Sequence, residues 1–313
     1  MSLFETSRNP FESNTGSGRL IRPNIFVPII AVIALMAVFI AEKDSFGITV
    51  CLSSFVLIFM LYWLFRTPKL GIFILLIMGF FVNGAGRYVP AAWGLIIDIV
   101  LVLTYMALFF KGFAQKIPWN KARSSLTLLV TLWMGYIFLQ IGNPEVQSRE
   151  AWFYAMRGVA LYQFLMIPLL FVLFDKAKDL NIFFIIWGVL SLLGTLKGIQ
   201  QFQFGVDPFE HLWLEAGGAE THILFGKLRI FSFYSDAGQF GASQAHAGVV
   251  FGILALFKKG NLKLKTFFIV VALAGFVGMF ISGTRGAIAV PAMGGIVFLI
   301  LKRNVTVLAL GGV

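Results

Sequence analysis

The sequence predicts an all-α, polytopic transmembrane bundle, and three observations carry that prediction. Apolar runs of the length that crosses a bilayer, about 17–25 residues, recur from end to end of the chain. Hydrophobic residues make up 59% of it and charged residues 12%, with a mean hydropathy of +0.89; soluble domains carry about 25% charge. The basic residues alternate in density from one expected membrane face to the other, loop by loop.

Ten spans are expected, at Ile25–Ala41, Phe46–Phe65, Leu70–Val82, Ala91–Phe110, Leu126–Ile141, Ala155–Phe174, Ile182–Gln200, Ala237–Phe257, Thr266–Ser282 and Arg285–Leu301. The first follows a polar start, and Phe39-Ile40-Ala41 lacks the small residue a cleavage site needs, so it reads as a retained anchor. The third is short and ends in Asn83-Gly84-Ala85-Gly86, which predicts a tilted or broken end near one surface. An eleventh apolar run begins at Val305 and reaches only Val313. It is too short to span as a helix, so the protein is expected to continue beyond it.

Placing the N-terminus in the cytoplasm puts 17 of the 25 Lys and Arg residues on the inner side. Those left for the outer side and outer helix ends are Lys43, Arg87, Arg149, Arg157, Lys197, Lys227, Arg229 and Arg285. The expected organisation is a cytoplasmic tail (1–24), helices one to seven (25–200), an outer loop (201–236) and a membrane region (237–313) incomplete at its C-terminal end. The loop carries Asp207, Glu210, His211, Trp213, Glu215, Glu220 and His222. Connections of that length are usually functional or disordered, and its aromatic and glycine content suits a partly ordered surface lid.

The net charge of +11 does not indicate a nucleic-acid binder, because the basic residues sit in short loops and build no continuous face. Cys51 is the single cysteine, which excludes an intrachain disulfide and a cysteine metal site. Glu210, Glu215 and Glu220 could bind a cation or a sugar, but their spacing matches no metal motif, and neither metal nor cofactor is expected.

The residues richest in chemistry are Leu228–Gly241 and Ser282–Gly286. Each places an arginine just before an apolar helix that starts at the outer face. Cations oppose the dipole there, by about 0.3–1 kcal/mol, while free backbone N–H groups at helix starts attract anions. Arg229 and Arg285 add planar forks suited to phosphate oxygens. Asp236 with Gln239 has the spacing of a capping pair, and Ser282 and Thr284 are candidate caps for the tenth helix. Arg87 and Arg157, near the outer starts of the fourth and sixth helices, are candidate support for the same site. The bland alternative for all four is interfacial arginine snorkelling to head groups.

Asp98 lies inside the fourth span, where an acid is costly and by default functional; a hydrogen bond to a neighbouring helix is the equal alternative. Lys197 reads as a snorkelling residue. His246, flanked by alanine and glycine, reads as polar packing at a close helix contact. His211 and His222 read as solvated loop histidines.

Arg229-Ile230-Phe231-Ser232-Phe233-Tyr234-Ser235-Asp236-Ala237-Gly238-Gln239-Phe240-Gly241, followed one helix pair later by Ser282-Gly283-Thr284-Arg285-Gly286, resembles the O-antigen ligase and polymerase superfamily. The resemblance covers roughly Phe204–Leu301 in motif and the whole chain in hydropathy. It implies a metal-independent glycosyltransferase of the bacterial inner membrane, active at the periplasmic face. The implied donor is a glycan on undecaprenyl diphosphate, with Arg229 and Arg285 on the diphosphate. The implied acceptor is a lipid A–core hydroxyl for a ligase or another glycan for a polymerase. A catalytic histidine is expected downstream of Val313, so the catalytic base is unassigned among the residues at hand. A multi-span anion transporter and a non-catalytic membrane assembly protein are the alternatives. The first would need inverted repeats and mid-depth breaks, and the sequence has no repeat.

Overall fold

The computed structural model describes residues 23–302 apart from 90, 146, 147 and 225. The expected tail up to residue 22 and the run at 305–313 lie outside the described residues. Among the described residues, eight helical segments are long and apolar enough to cross a membrane, and Arg285–Phe298 is a shorter apolar one. This is a multi-pass helical membrane protein. The chain divides into two compact units, residues 1–62 and 63–313.

Helix α1 (Pro23–Arg66) is unbroken. Two separate spans were expected there, divided near Glu42-Lys43-Asp44. Those charges interrupt the hydropathy, but no proline stands among them, and Glu and Lys are good helix formers. Against ten expected spans, eight spanning segments stand among the described residues, and α1 runs without a break through two of the ten.

The second unit runs through α2 (Lys69–Tyr88), α3 (Trp93–Ala114), α4 (Ser125–Leu139), α5 (Arg149–Met156), a wide turn at Arg157–Leu161, α6 (Tyr162–Leu173) and α7 (Ala177–Phe204). A loop then carries α8 (Pro208–Trp213), α9 (Ala219–His222) and a hairpin of β1 (Ile223–Leu224) and β2 (Lys227–Leu228). It leads to α10 (Ala237–Phe257), α11 (Leu262–Ile281), a tight turn at Arg285–Ile288 and α12 (Ala289–Lys302). Contrary to expectation, α2 does not break at Asn83–Gly86. Gly84 lies in its last turns because Phe233 packs there, 3.1 Å from where a Cβ would stand.

Two apolar clusters hold this unit. Ile72 and Leu75 of α2 pack with Leu101 and Leu108 of α3 and Leu169 and Val172 of α6. Phe251 of α10 packs with Phe268 and Val271 of α11, and Phe184 and Trp187 of α7 close over them. Between α7, α10 and α11 the fully buried Gln244 accepts from Ser191 Oγ (2.9 Å) and Thr195 Oγ1 (3.1 Å) and donates to Ser191 O (3.1 Å). Polar groups in such a core are costly unless paired, and this one is paired on both ends of its amide.

The C-terminal ends of α2, α7 and α11 and the N-terminal ends of α3 and α10 meet at one end of the unit, the loop face. At the opposite end Lys69 bridges Asp175 (2.6 Å) and Asp179 (2.7 Å).

Candidate functional site

The loop is seated on the last turns of α7. Lys197 Nζ donates to Asp207 Oδ2 at 2.8 Å and lies 3.3 Å from Glu210 Oε1. Tyr88 donates to the same Asp207 oxygen (2.5 Å), and Gln201 Nε2 donates to Glu210 Oε1 (2.8 Å). Asp207 also caps α8, accepting from the Phe209 and Glu210 amides. Lys197 therefore anchors the loop, its ammonium held by one buried and one half-buried carboxylate, where snorkelling was expected.

Burial works against the Asp207 carboxylate, but hydrogen bonds from Lys197, Tyr88 and the Glu210 amide hold its pKa down at about 2. A depressed carboxyl contributes stability above its ordinary value of about 3.9, and this is lost as pH falls toward the folded value. A nitroxide on a Leu212→Cys variant lacking Cys51 is expected to stay immobile down to about pH 4 and to loosen between about pH 4 and 2. Asp207→Asn is expected to be loose throughout. An immobile label at pH 2 would refute this anchoring role.

Arg87 pins the next stretch. It is 8% exposed, in the last turn of α2, where a cation suits the helix dipole. It donates to Ser232 O through Nη1 (2.6 Å) and to Tyr234 O through Nη2. Its guanidinium also lies over the Phe231 ring (4.3 Å) and the Trp213 ring (4.8 Å). The expectation that Arg87 stands at a helix start as part of an anion site is thus corrected: its fork holds two carbonyls. Ser232 is a buried non-glycine residue at φ 52, a conformation that costs about 1–3 kcal/mol unless its surroundings enforce it. Gln201 accepts from its N–H (2.8 Å), its hydroxyl donates to Gly194 O (2.6 Å), and Arg87 takes its carbonyl.

Arg157 and Asp98 likewise leave the candidate list. Arg157 pairs with Asp98 inside the bundle and donates to Gly94 O (3.1 Å), and Tyr162 donates to Asp98 Oδ1 (2.8 Å). Arg157 sits in the wide turn between α5 and α6, eight residues past the helix start at Arg149. The pair ties α3 to that turn, the interhelical reading of Asp98.

The two arginine motifs do meet. The hairpin, with Ile223 opposite Leu228, presents Arg229, whose amide donates to His222 O (2.9 Å). Arg229 Nη2 donates to Thr284 Oγ1 (2.7 Å), and Thr284 Oγ1 donates to Ala237 O (3.0 Å) at the start of α10. Gly283, at φ 64, ends α11 and turns the chain toward Arg285. Gly241 permits the approach: a Cβ there would lie 2.4 Å from Ser282 Oγ. Arg285 is exposed, and no hydrogen bond or ion pair holds its guanidinium among the described residues.

Two details differ from expectation. Thr284 and Ser282 do not cap α12, which starts only after the tight turn at Arg285–Ile288. The start of α10 is not open to an anion either, because Asp236 accepts from the Gln239 amide (2.9 Å) and fills it. Burial opposes the Asp236 charge, but the Gln239 amide and Ser235 hold its pKa below the ordinary carboxylate range. Gln239 reaches the Ser235 amide (3.0 Å).

His222 is buried, with Nδ1 2.9 Å from Gly218 O and Nε2 3.0 Å from Ser235 O, between the rings of Trp213 and Phe231. It joins the hairpin to the start of α10; a loop histidine gives no sequence signal for that. His211 is exposed beside Glu215. His246 is exposed against Trp187; the close α10–α11 contact is made by Gly248 and Gly275 instead.

No family model, curated protein or solved structure matches this chain.

Proposed function

We propose that this chain belongs to a membrane glycosyltransferase of the O-antigen ligase type. It would move a glycan from undecaprenyl diphosphate to a lipid A–core or glycan acceptor at the periplasmic face of the bacterial inner membrane. The observation that carries the reading is the junction of the two motifs: Arg229 on Thr284, and Thr284 next to Arg285. Arg229 keeps donors beyond the one given to Thr284, since a guanidinium has five. Arg285 has no partner among the described residues, which leaves its fork to phosphate oxygens. Such donors stabilise charge on a departing diphosphate, which is often the largest catalytic contribution. A carrier whose tail stays in the bilayer would present its head group at the loop face, where the two arginines stand. The transporter reading is disfavoured because Arg229 follows the loop hairpin and Arg285 opens the turn before α12, both on the loop face, and the sequence has no internal repeat.

The test uses lysine, which keeps the charge and removes the fork. Arg229→Lys and Arg285→Lys in the complete gene are each expected to lower lipopolysaccharide ladder formation at least tenfold in a strain without its own ligase. Undecaprenyl diphosphate binding by the purified protein in nanodiscs should fall in parallel. Near-normal ladders and binding in both variants would remove the diphosphate site. Intact carrier binding without ladders, in a well-expressed protein, would favour the polymerase.

A further inference from the structure

The loop face holds a second feature that the arginine pair does not use. A cavity of about 470 Å³ opens between the end of α2, the start of α3 and the loop, lined by Asn83, Gly86, Trp93, Gly94, Trp213 and Ser235 among others. Its size falls within the range of about 300–1,000 Å³ typical of small-molecule sites.

The lining narrows the ligand's chemistry. The charged residue on its wall, Arg87, already holds two carbonyls and two ring faces, so the cavity is not built as an anion trap. It offers two indoles. That of Trp93 is pinned by a hydrogen bond to Val89 O (2.9 Å); that of Trp213 packs on His222 and Phe231 and already carries the Arg87 guanidinium, so it walls the cavity and the stacking face falls to Trp93. Asn83 is exposed beside them and brings an amide with two donors and an acceptor. The two glycines leave the backbone open to close approach. A flat apolar face beside a neutral amide suits a neutral ligand with one apolar face and a rim of hydroxyls, which describes a pyranose ring.

We propose that this cavity is a saccharide subsite that takes a sugar ring of the glycan, stacked on indole and hydrogen-bonded by Asn83. The proposal rests on the glycosyltransferase reading and deepens it. Ser235 lines the cavity and lies two residues from Ala237, whose carbonyl takes the Thr284 hydroxyl that holds Arg229. Two residues span at most about 7 Å. A sugar in the cavity would therefore sit within reach of a diphosphate at the arginines.

The experiment is saturation-transfer difference NMR on the protein in nanodiscs. The probes are the methyl glycosides of glucose, galactose, rhamnose and N-acetylglucosamine, none of which carries phosphate. At least one is expected to show ring-proton saturation, reduced several-fold by Trp93→Ala. Gly86→Leu is the second variant: a Cβ there meets nothing nearer than Trp93 at 4.0 Å, and leucine favours a helix. It should keep the fold, fill the cavity and abolish the signal. No saturation from any of the four, or saturation indifferent to both variants, overturns the subsite. Undecaprenyl diphosphate binding measured alongside separates the two readings. Sugar binding without carrier binding would sink the arginine site and support the cavity.

Discussion

Replacing Arg87 by methionine is expected to lower carrier binding at least tenfold although Arg87 touches neither proposed phosphate ligand. Methionine fills much of the same volume but leaves the carbonyls of Ser232 and Tyr234 without their donor. A buried acceptor left unmade costs about 1–3 kcal/mol; the buried Ser232 carbonyl bears that in full and the part-buried Tyr234 carbonyl a share of it. Loss of the cation from the faces of Phe231 and Trp213 adds to this. Ser232, already at φ 52, loses one of the three contacts that enforce its conformation. The stretch from Phe231 to Ser235 then has reason to relax, and it connects Arg229 to the start of α10. Thermal unfolding in nanodiscs should show a lower midpoint, and undecaprenyl diphosphate binding should fall at least tenfold. Arg87→Lys should lie between the two, since one ammonium cannot reproduce a fork across two carbonyls. An unchanged midpoint together with unchanged binding would mean that other contacts place the loop.

This arginine also marks the boundary of what the sequence could reveal. Hydropathy located the apolar helices well because a bilayer imposes a single length scale. It divided α1 because charge was taken as a break, although only backbone chemistry ends a helix. The two motif segments drew notice in the sequence because each puts an arginine shortly before an apolar run; that Arg229 comes off a hairpin and donates to Thr284 was not readable there. Arg87 and Arg157 were misassigned because an arginine at an interface has the same sequence signature whether it faces head groups, a carboxylate or a carbonyl. Only the partner decides, and Ser232 and Tyr234 lie more than a hundred residues from Arg87. The seating of the loop by Lys197, Asp207, Glu210 and Tyr88 was hidden for the same reason. Burial of Glu210 to 1% exposure depends on α7 and α8 being brought together, and no spacing encodes that.

Substituting Gly275 by alanine is expected to be among the most damaging single-methyl changes in the protein. A Cβ there would lie 2.6 Å from Gln244 O and 2.8 Å from Gly248 N. Both are backbone atoms of α10, so no rotamer change relieves the contact and the two helices must separate. Overpacking usually costs about 1–3 kcal/mol, and a backbone clash belongs at or above the upper end of that range. Lipid does not drive helices together as water does, so close approach of small residues carries more of the association. Separation would also loosen Gln244 from Ser191 and Thr195. It would strain the contact between Gly241 and Ser282, and with it the placing of Thr284 against Arg229. Gly79→Ala is the matched control: its Cβ meets nothing within 4 Å at an exposed position of α2, and alanine gains up to about 1 kcal/mol of helix propensity over glycine. Unfolding in graded SDS should therefore move in opposite directions for the two variants. Equal midpoints would show that α10 and α11 have slack at this crossing, and the junction of the two arginine motifs would then have to be held from the loop side alone.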